Sequence, residues 1–365
     1  MDYLQISDES IAIAAAVIKN GGLVAFPTET VYGLGADAFN TAALVKVFAV
    51  KKRPFFDPLI IHIAAAGSLE KIADLSALSL DTQEKIKLLT ETFWPGPLTL
   101  ILPKQKTVPD LATSGLPAVA VRFPAHTAAQ RLIELSTGAV AAPSANLFGY
   151  LSPTCAQHVR EQLGNEVDII LDGGQTDVGI ESTVLDMCQN PPRILRPGGV
   201  SQERIEKIIG KTEYCFGEAV PGSDLQTAGL ASPGQLKSHY APRAVLSIHS
   251  REEIITLPAR LPDKQTAQSG NSGRISFLFF DSRTRNAWLV KQCITGGVSH
   301  NGDDCTQPVI KTLSENGNDL EAAANLFKML HELDESEVCC IYAQLAPQHG
   351  LGVAINDRLK KASFH

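Results

Sequence analysis

The amino-acid sequence predicts an α/β protein: an N-terminal twisted sheet of mixed parallel and antiparallel strands flanked by helices, followed by a smaller α/β domain. Short apolar runs alternate with segments of helical periodicity, as buried strands and amphipathic helices do. The chain has 365 residues, and 44% of them are hydrophobic. Because single cores stop growing near roughly 250–300 residues, this length and composition predict two domains.

The elements of the larger domain follow from periodicity and from their flanking residues. Ser7 and Asp8 suit the N-cap of a helix whose apolar positions, between residues 11 and 18, follow helical spacing and which Gly21-Gly22 ends; residues 23–26 are predicted to form a buried strand. A second helix over residues 41–52 ends before Pro54, since the residue preceding a proline avoids the helical conformation. Further strands are predicted at residues 98–102, 118–121, 138–142, 167–171, 183–185 and 194–195, and a last helix at residues 202–209.

The C-terminal part shows the same alternation on a smaller scale. Strands are predicted at residues 244–248, 275–280 and 338–342, and helices at residues 320–333 and 353–361. Between these two parts the periodicity is lost, and a long segment without periodicity is usually functional or disordered. We therefore predict domains at residues 1–209 and 242–365, joined by a linker of residues 210–241.

The composition argues against several classes of protein. The chain carries 32 Lys and Arg against 39 Asp and Glu, so the strongly basic surface of a dedicated nucleic-acid binder is missing. Its seven cysteines include no Cys-x-x-Cys pair, which disfavours a disulfide framework and a tetrahedral zinc site. No apolar run approaches the roughly 18 residues of a membrane span, and the N-terminus is acidic. These features predict a soluble, cytoplasmic protein without a membrane partner.

Polar clusters follow three of the predicted strands. They are residues 27–33 (PTETVYG), 122–124 (RFP) and 143–146 (PSAN). Taken singly, each cluster is ordinary turn chemistry, in which proline, threonine, serine and asparagine are common. However, α/β sheets bind ligands at the ends of their strands. Three such clusters on one sheet therefore predict a ligand site.

Basic residues end the second helix, and two interpretations of them remain open. Lys51, Lys52 and Arg53 complement the negative end of the helix dipole, or they offer a point charge and a planar fork to a polyphosphate. Of the three, Lys52 is expected to face solvent. Arg196 lies in a second basic loop, where it either covers apolar surface or adds charge. His62, inside an apolar strand, is more typical of a hydrogen-bonded strand residue than of a ligand-binding one.

Common nucleotide and hydrolase motifs are missing from the sequence. The chain contains no Walker-type G-x-x-x-x-G-K-[ST] and no G-x-G-x-x-G, so any nucleotide is held by another device. It also contains no G-x-S-x-G and no H-E-x-x-H, which disfavours a serine hydrolase and a zinc peptidase.

Taken in order, the motifs resemble the threonylcarbamoyl-AMP synthase family, in its long form with an extra, Rossmann-like C-terminal domain. The segments that carry the resemblance are 27–35 (PTETVYGLG), 51–54 (KKRP), 58–62 (PLIIH), 94–99 (WPGPLT), 121–122 (VR), 143–146 (PSAN), 152–154 (SPT), 182–184 (STV), 196–198 (RPG), 232–234 (SPG), 239–242 (HYAP) and 350–358 (GLGVAINDR). Any one segment can arise by chance, whereas the ordered series is highly specific. The last three segments distinguish the long form from the single-domain form.

The resemblance implies a nucleotidyltransferase. The amine of threonine would take up bicarbonate or carbon dioxide, and the resulting carbamate would attack the α-phosphorus of ATP, with Mg²⁺ accompanying ATP. Pyrophosphate would leave, and L-threonylcarbamoyl-AMP would pass to a tRNA threonylcarbamoyl transferase, without a direct requirement for tRNA. Two alternatives stay open: a module that binds tRNA or double-stranded RNA, and a carbamoyltransferase that uses carbamoyl phosphate.

The resemblance also implies roles for individual residues, but no metal ligand. It assigns catalysis to Lys51 and Arg53. It assigns the threonine pocket to Thr30, His62, Arg122, Ala142 and Ser182. It assigns ATP binding to Lys51, Arg53, Asp57, Ala118, Ser144, Asn146, Ser152, Arg196, Ser232 and Tyr240. The last two belong to the linker, which is expected to close over the nucleotide. Asp57 stands where the family often has asparagine, so it sets a negative charge near ATP unless Arg53 or another cation offsets it.

Overall fold

The structure, a computed structural model, describes residues 2–215, 239–259, 274–295, 307–335 and 338–364. Two units are formed, Met1–Phe148 with Ser152–Leu236 and Gly149–Leu151 with Lys237–His365. Most of the predicted linker, including Ser232, lies outside the described residues.

One mixed sheet organises the first unit. Its strands in the described part of the chain are β1 Asp2–Gln5, β2 Val24–Phe26, β3 Gly33–Asp37, β4 Ile60–Ile63, β5 Leu98–Pro103, β6 Ala118–Arg122, β7 Ala139–Ala141, β8 Ile169–Asp172, β9 Thr183–Asp186, β10 Arg193–Arg196 and β11 Glu213–Tyr214. Their order is β1-β8-β2-β3-β7-β4-β6-β5-β9-β10-β11. β4 and β6 run parallel, whereas β5 and β6 run antiparallel. The predicted mixed sheet is therefore confirmed.

Helices cover both faces of this sheet. They are α1 Asp8–Lys19, α2 Thr41–Lys51, α3 Leu80–Phe93, α4 Thr127–Leu135, α5 Ala156–Leu163 and α6 Gln202–Ile209. α1 starts at the predicted cap, where the Ser7 hydroxyl accepts the N–H of Ser10 at 3.0 Å. α2, α3, α5 and α6 pack over the strand face that carries Ile61 and Val121. α1 and α4 pack over the opposite face, beside Phe26.

Strand alternation places the candidate site on the face of the sheet that α1 and α4 cover. Ile60 and Ala120 belong to a small apolar cluster on that face. Because side chains two residues apart in a strand point to the same side, His62 and Arg122 share the face with Ile60 and Ala120. The polar residues therefore continue a line of apolar ones toward the ends of β4 and β6.

The predicted strands of the first unit agree with the structure within two residues at each end, but β3 had no counterpart in the sequence prediction. Two of its five residues are glycine, which disfavours a strand when the sequence is considered alone. In the sheet, a Cβ atom at Gly35 would lie 2.7 Å from the ring of Phe26 on the neighbouring strand. Close packing of the two strands therefore requires glycine at this position. β1, β11, α3, α4 and α5 also had no counterpart in the sequence prediction, and β11 falls within the predicted linker.

A parallel sheet organises the described part of the second unit. Its strands are β12 Val245–His249, β13 Arg274–Asp281, β14 Val309–Ser314 and β15 Val338–Gln344, and its helices are α7 Arg251–Ile254, α8 Ser282–Thr295, α9 Asp319–Glu335 and α10 Gly352–Ala362. The order β12-β15-β13-β14 is parallel throughout. Trp288 of α8 packs on Phe277 with ring centroids 4.5 Å apart. This architecture agrees with the expected Rossmann-like domain, although β14, α7 and α8 were not predicted.

In the part of the chain that the structure describes, no helix is both long enough and apolar enough to cross a membrane.

Candidate active site

Strand register brings three polar side chains into one row across the sheet. His62 of β4 is aligned with Arg122 of β6, and Arg122 is aligned with Thr99 of β5. Thr99 is in turn aligned with Val184 of β9, whose partner on β10 is Arg196. Since aligned residues of paired strands point to the same face, His62, Arg122 and Thr99 lie side by side. All three are buried.

The loop between β2 and β3 is held by its own hydroxyl groups. Thr28 donates its hydroxyl hydrogen to the carbonyl oxygen of Val31 at 2.7 Å. Since a hydroxyl has one hydrogen, Thr30 is the donor in the 2.8 Å contact between the two threonine hydroxyls. The Thr30 side chain is buried, and its oxygen keeps lone pairs with which a ligand group can form a hydrogen bond.

Lys51 links the end of α2 to the loop that follows β7. Its side chain is buried, and Nζ donates to the carbonyl oxygens of Ser144, at 2.5 Å, and of Asn146. Burial lowers the pKa of Lys51 well below its usual value, and the neighbouring Arg53 contributes to the lowering. Lys52 closes the helix in the left-handed conformation, with φ 52°, and is exposed, as predicted. The two lysines are therefore placed in opposite environments.

Arg53 and Asp57 form a buried ion pair. Arg53 Nη2 lies 2.8 Å from Asp57 Oδ2. The guanidinium also donates to backbone carbonyl oxygens, from Nε to Asp57 at 3.0 Å and from Nη2 to Pro58 at 2.9 Å. Burial raises the pKa of Asp57, while Arg53, and then Lys51 and Arg196, act to lower it. Arg53 therefore offsets the negative charge that the sequence places beside the expected ATP site.

Ser182, which is assigned to the threonine pocket, contacts Arg196, which is assigned to ATP. Its hydroxyl lies 2.7 Å from that of Thr99, which the sequence prediction did not include among the site residues. Arg196 Nη2 donates to the hydroxyl oxygen of Ser182 at 3.2 Å and to its carbonyl oxygen at 3.0 Å. Gly198 permits this approach, because a Cβ atom there would lie 2.3 Å from the carbonyl oxygen of Glu181. The two expected subsites meet at the contact between Ser182 and Arg196.

Glu29 is a second site residue that the sequence prediction missed. Its Oε1 lies 2.7 Å from Nη2 of Arg122, and the two side chains are 9% and 5% exposed. Oε2 accepts the N–H of Ala125 at 3.0 Å, and Nε of Arg122 donates to the carbonyl oxygen of Gly96 at 3.3 Å. The guanidinium is therefore held at two edges. The signal available in the sequence was the position of Glu29 in the polar cluster next to Thr30.

Four further predicted residues occupy strand ends and the loop after β7. Ala118 begins β6. Ala142 follows β7 and donates its N–H to the carbonyl oxygen of Ile60 at 2.9 Å. The Ser144 hydroxyl donates to Oδ1 of Asn146. The loop is therefore held by a hydrogen bond of its own as well as by those from Lys51.

Two further residues predicted to bind ATP, Ser152 and Tyr240, lie in different units. Ser152, in the first unit, donates its hydroxyl to the buried carboxylate of Glu181. Tyr240 belongs to the second unit, where its ring centroid lies 5.5 Å from that of Phe327 and 5.1 Å from the guanidinium carbon of Arg358. Its expected role in ATP binding stays a prediction.

His62 is neutral in the folded protein, which gives a testable dependence of stability on pH. Burial, followed by the charge of Arg122, lowers the pKa of His62 from 6.5 to about 3. Below pH 6.5 the unfolded chain binds a proton that the folded chain does not, so stability falls as the pH is lowered toward the folded pKa. Between pH 6.5 and pH 5 we expect His62 to account for a loss of about 2 kcal/mol in unfolding free energy.

Urea unfolding of the wild type and of His62→Gln at several pH values measures this contribution. As the pH falls from 6.5 to 5, the unfolding free energy of the wild type should fall by about 2 kcal/mol more than that of His62→Gln. A difference between the two proteins that stays constant over this interval would show that His62 takes up a proton as readily in the folded protein as in the unfolded chain.

The fold and the site define a class of protein. The buried basic side chains of Lys51, Arg53 and Arg196 all act on the carboxylate of Asp57, and Arg122 is buried in a second position, aligned with Thr99 across the sheet. Such a site suits a polyphosphate next to a ligand that carries a carboxylate. The chain is therefore an α/β protein with a candidate site for two anionic groups.

Comparison with known proteins identifies the family. Residues 16–198 match the Sua5/YciO/YrdC family model, described as "Telomere recombination", and residues 200–363 match the model described as "Threonylcarbamoyl-AMP synthase, C-terminal domain". The chain belongs to the threonylcarbamoyl-AMP synthase family, an enzyme family, which confirms the resemblance seen in the motifs.

Relatives match over nearly the whole chain. Threonylcarbamoyl-AMP synthase of Pyrococcus abyssi is 41% identical over 360 residues, covering 98% of this chain and 95% of the relative. The Bacillus subtilis protein of the same name is 40% identical, covering 99% of this chain and 95% of the relative. The crystal structure of P. abyssi Sua5 complexed with L-threonine matches with a TM-score of 0.80 and 39% identity, covering 99% of this chain and 97% of that one.

Proposed function

We propose that this chain forms L-threonylcarbamoyl-AMP and pyrophosphate from L-threonine, bicarbonate or carbon dioxide, and ATP. The contact between Ser182 and Arg196 carries the proposal, because it joins a residue expected to bind threonine to a residue expected to bind ATP. The names of the two relatives and the threonine in the structure of one of them support it.

The proposed reaction needs positioned cations more than it needs a general base. A carbamate already carries a nucleophilic anionic oxygen, so nucleotidyl transfer depends on alignment and on neutralisation of the developing charge. Lys51, Arg53 and Arg196 are buried, and low-dielectric surroundings strengthen their attraction for phosphate oxygens. We assign the phosphates of ATP to these three residues.

The amino acid is assigned to the other part of the site. Arg122 binds the carboxylate of threonine in this proposal, while Glu29 and the carbonyl oxygen of Gly96 hold the guanidinium in place. The hydroxyl groups of Thr30 and Ser182 meet the polar groups of the substrate. His62 is neutral at pH 7, so it offers a hydrogen bond and adds no charge.

Mg²⁺ is expected to accompany ATP, and the residues present fit that expectation. Mg²⁺ is usually bound by one or two carboxylates together with substrate phosphates rather than by a cage of protein ligands. No group of three or more His, Cys, Asp or Glu residues in the described ranges could hold a metal by itself. Asp57 supplies a buried carboxylate beside the basic residues assigned to phosphate. A bound Mg²⁺ would help to neutralise the charge that develops on the phosphates.

The product is a reactive mixed anhydride, so another protein has to consume it soon after it forms. We assign this role to a tRNA threonylcarbamoyl transferase, which places the reaction at the first step of threonylcarbamoyladenosine formation in tRNA. Neither tRNA nor a membrane takes part in the step itself, and the proposal keeps the cytoplasmic location expected from the sequence. The net charge of −7 disfavours a primary RNA-binding role.

Incubation with radiolabelled L-threonine, bicarbonate, Mg²⁺ and ATP tests the proposal. We expect a labelled adenylate together with pyrophosphate, and neither when threonine is left out. Release of pyrophosphate that does not require threonine would contradict the proposed function. Carbamoyl phosphate in place of bicarbonate tests the carbamoyltransferase alternative. Binding to RNA that weakens steeply with salt and ignores ATP would favour the RNA-binding alternative.

A further inference from the structure

Asp57 is an acid buried within a cluster of basic side chains. Its side chain is fully buried, and Oδ2 lies 2.8 Å from Nη2 of Arg53. Neither of its carboxylate oxygens has an aligned hydrogen-bond partner among the residues that the structure describes. Arg53, Lys51 and Arg196 are the charged groups that act on this carboxylate. Within the described part of the chain, the cluster therefore contains three basic groups and one acid.

The charge of Asp57 is not needed to hold Arg53 in place. Arg53 donates to the backbone carbonyl oxygens of Asp57 and Pro58, and these hydrogen bonds do not involve the carboxylate. A buried carboxylate without aligned hydrogen bonds is unfavourable, and here its attraction to Arg53 offsets part of that penalty. The negative charge therefore has a consequence for the ligand rather than for the loop, because it competes with an incoming anion for Arg53.

We propose that Asp57 makes this phosphate site selective for metal-bound ATP over metal-free ATP. The inference rests on the proposed function, since it takes ATP as the ligand of the cluster. Metal-free ATP approaches with its full negative charge, is repelled by Asp57 and has to displace the carboxylate from Arg53. Mg²⁺ reduces the net charge of the triphosphate, and its attraction to the carboxylate replaces the repulsion.

Calorimetric titration of the full-length protein with ATP, in Mg²⁺ and separately in EDTA, tests this selectivity by binding alone. The wild type should bind ATP at least about tenfold more weakly in EDTA. Asp57→Asn keeps the shape and removes the charge, so we expect its affinity to change by less than about threefold between the two conditions. Asp81→Asn, which alters an exposed acid far along the chain, should behave like the wild type. Asp57→Ser serves as a second neutral variant if the asparagine variant does not fold.

The outcomes separate this inference from the proposed function. If the wild type binds ATP equally well with and without Mg²⁺, the inference is overturned without any variant. It is also overturned if a folded neutral variant keeps the tenfold preference. In both cases threonine-dependent release of pyrophosphate by the wild type would leave the proposed function standing. A wild type that does not bind ATP even with Mg²⁺ would contradict the proposed function itself.

Discussion

Replacement of Lys51 by alanine should lower the rate of threonylcarbamoyl-AMP formation at least about tenfold, which corresponds to about 1.4 kcal/mol of barrier. The substitution removes a buried basic group; a bound phosphate favours its charged form, so the charge that develops on phosphate would lose a partner. It also removes the bonds from Nζ to the carbonyl oxygens of Ser144 and Asn146, so the loop after β7 loses its anchor. Release of pyrophosphate in the presence of saturating threonine measures the loss.

The adjacent lysine provides a matched control. Lys52 is exposed, so Lys52→Ala should leave the rate within about twofold of the wild type. Arg53→Ala should resemble Lys51→Ala, because it removes a second cation of the same cluster. Near-normal turnover in both the Lys51 and the Arg53 variants would refute the role assigned to them.

Replacement of Glu29 by glutamine should lower the free energy of unfolding by about 3 kcal/mol, because it leaves Arg122 buried without its counter-ion. Glutamine has nearly the same size and keeps an oxygen that can accept the N–H of Ala125, so loss of charge is the main change. The two side chains are almost inaccessible to water, which cannot replace the lost partner. Urea unfolding followed by circular dichroism measures the difference.

An exposed ion pair in the same unit controls for the general effect of removing a negative charge. Glu134 pairs with Arg131 at 2.7 Å, but the two side chains are 62% and 51% exposed. Glu134→Gln should therefore change the free energy of unfolding by less than about 1 kcal/mol. If the two glutamine variants lose similar amounts of stability, the Glu29–Arg122 contact is not a buried ion pair in solution. A threonine-induced rise in stability that is retained in Glu29→Gln would show that Arg122 still binds the ligand.

Local sequence signals were sufficient for many of the elements and for part of the site. Helix α6 was predicted with both of its ends, and α2 ends where Pro54 required. Lys51 and Lys52 illustrate a limit of such signals, since adjacent and chemically identical residues are buried and exposed respectively. Lys51 is the last residue of α2, whereas Lys52 is its C-cap in the left-handed conformation.

The fold class, the family and most of the polar segments around the site were determined by the sequence itself, through apolar periodicity and an ordered set of short motifs. The tertiary structure decided which of those residues meet. Glu29 and Arg122 belong to different strand ends, and Thr99 contacts Ser182 across the pairing of β5 with β9. Register between strands sets such contacts, and local propensity does not encode register between distant segments. For the same reason the sequence left the role of the basic triplet open, whereas the structure buries Lys51 and Arg53 with Asp57 and Arg196 and leaves Lys52 exposed.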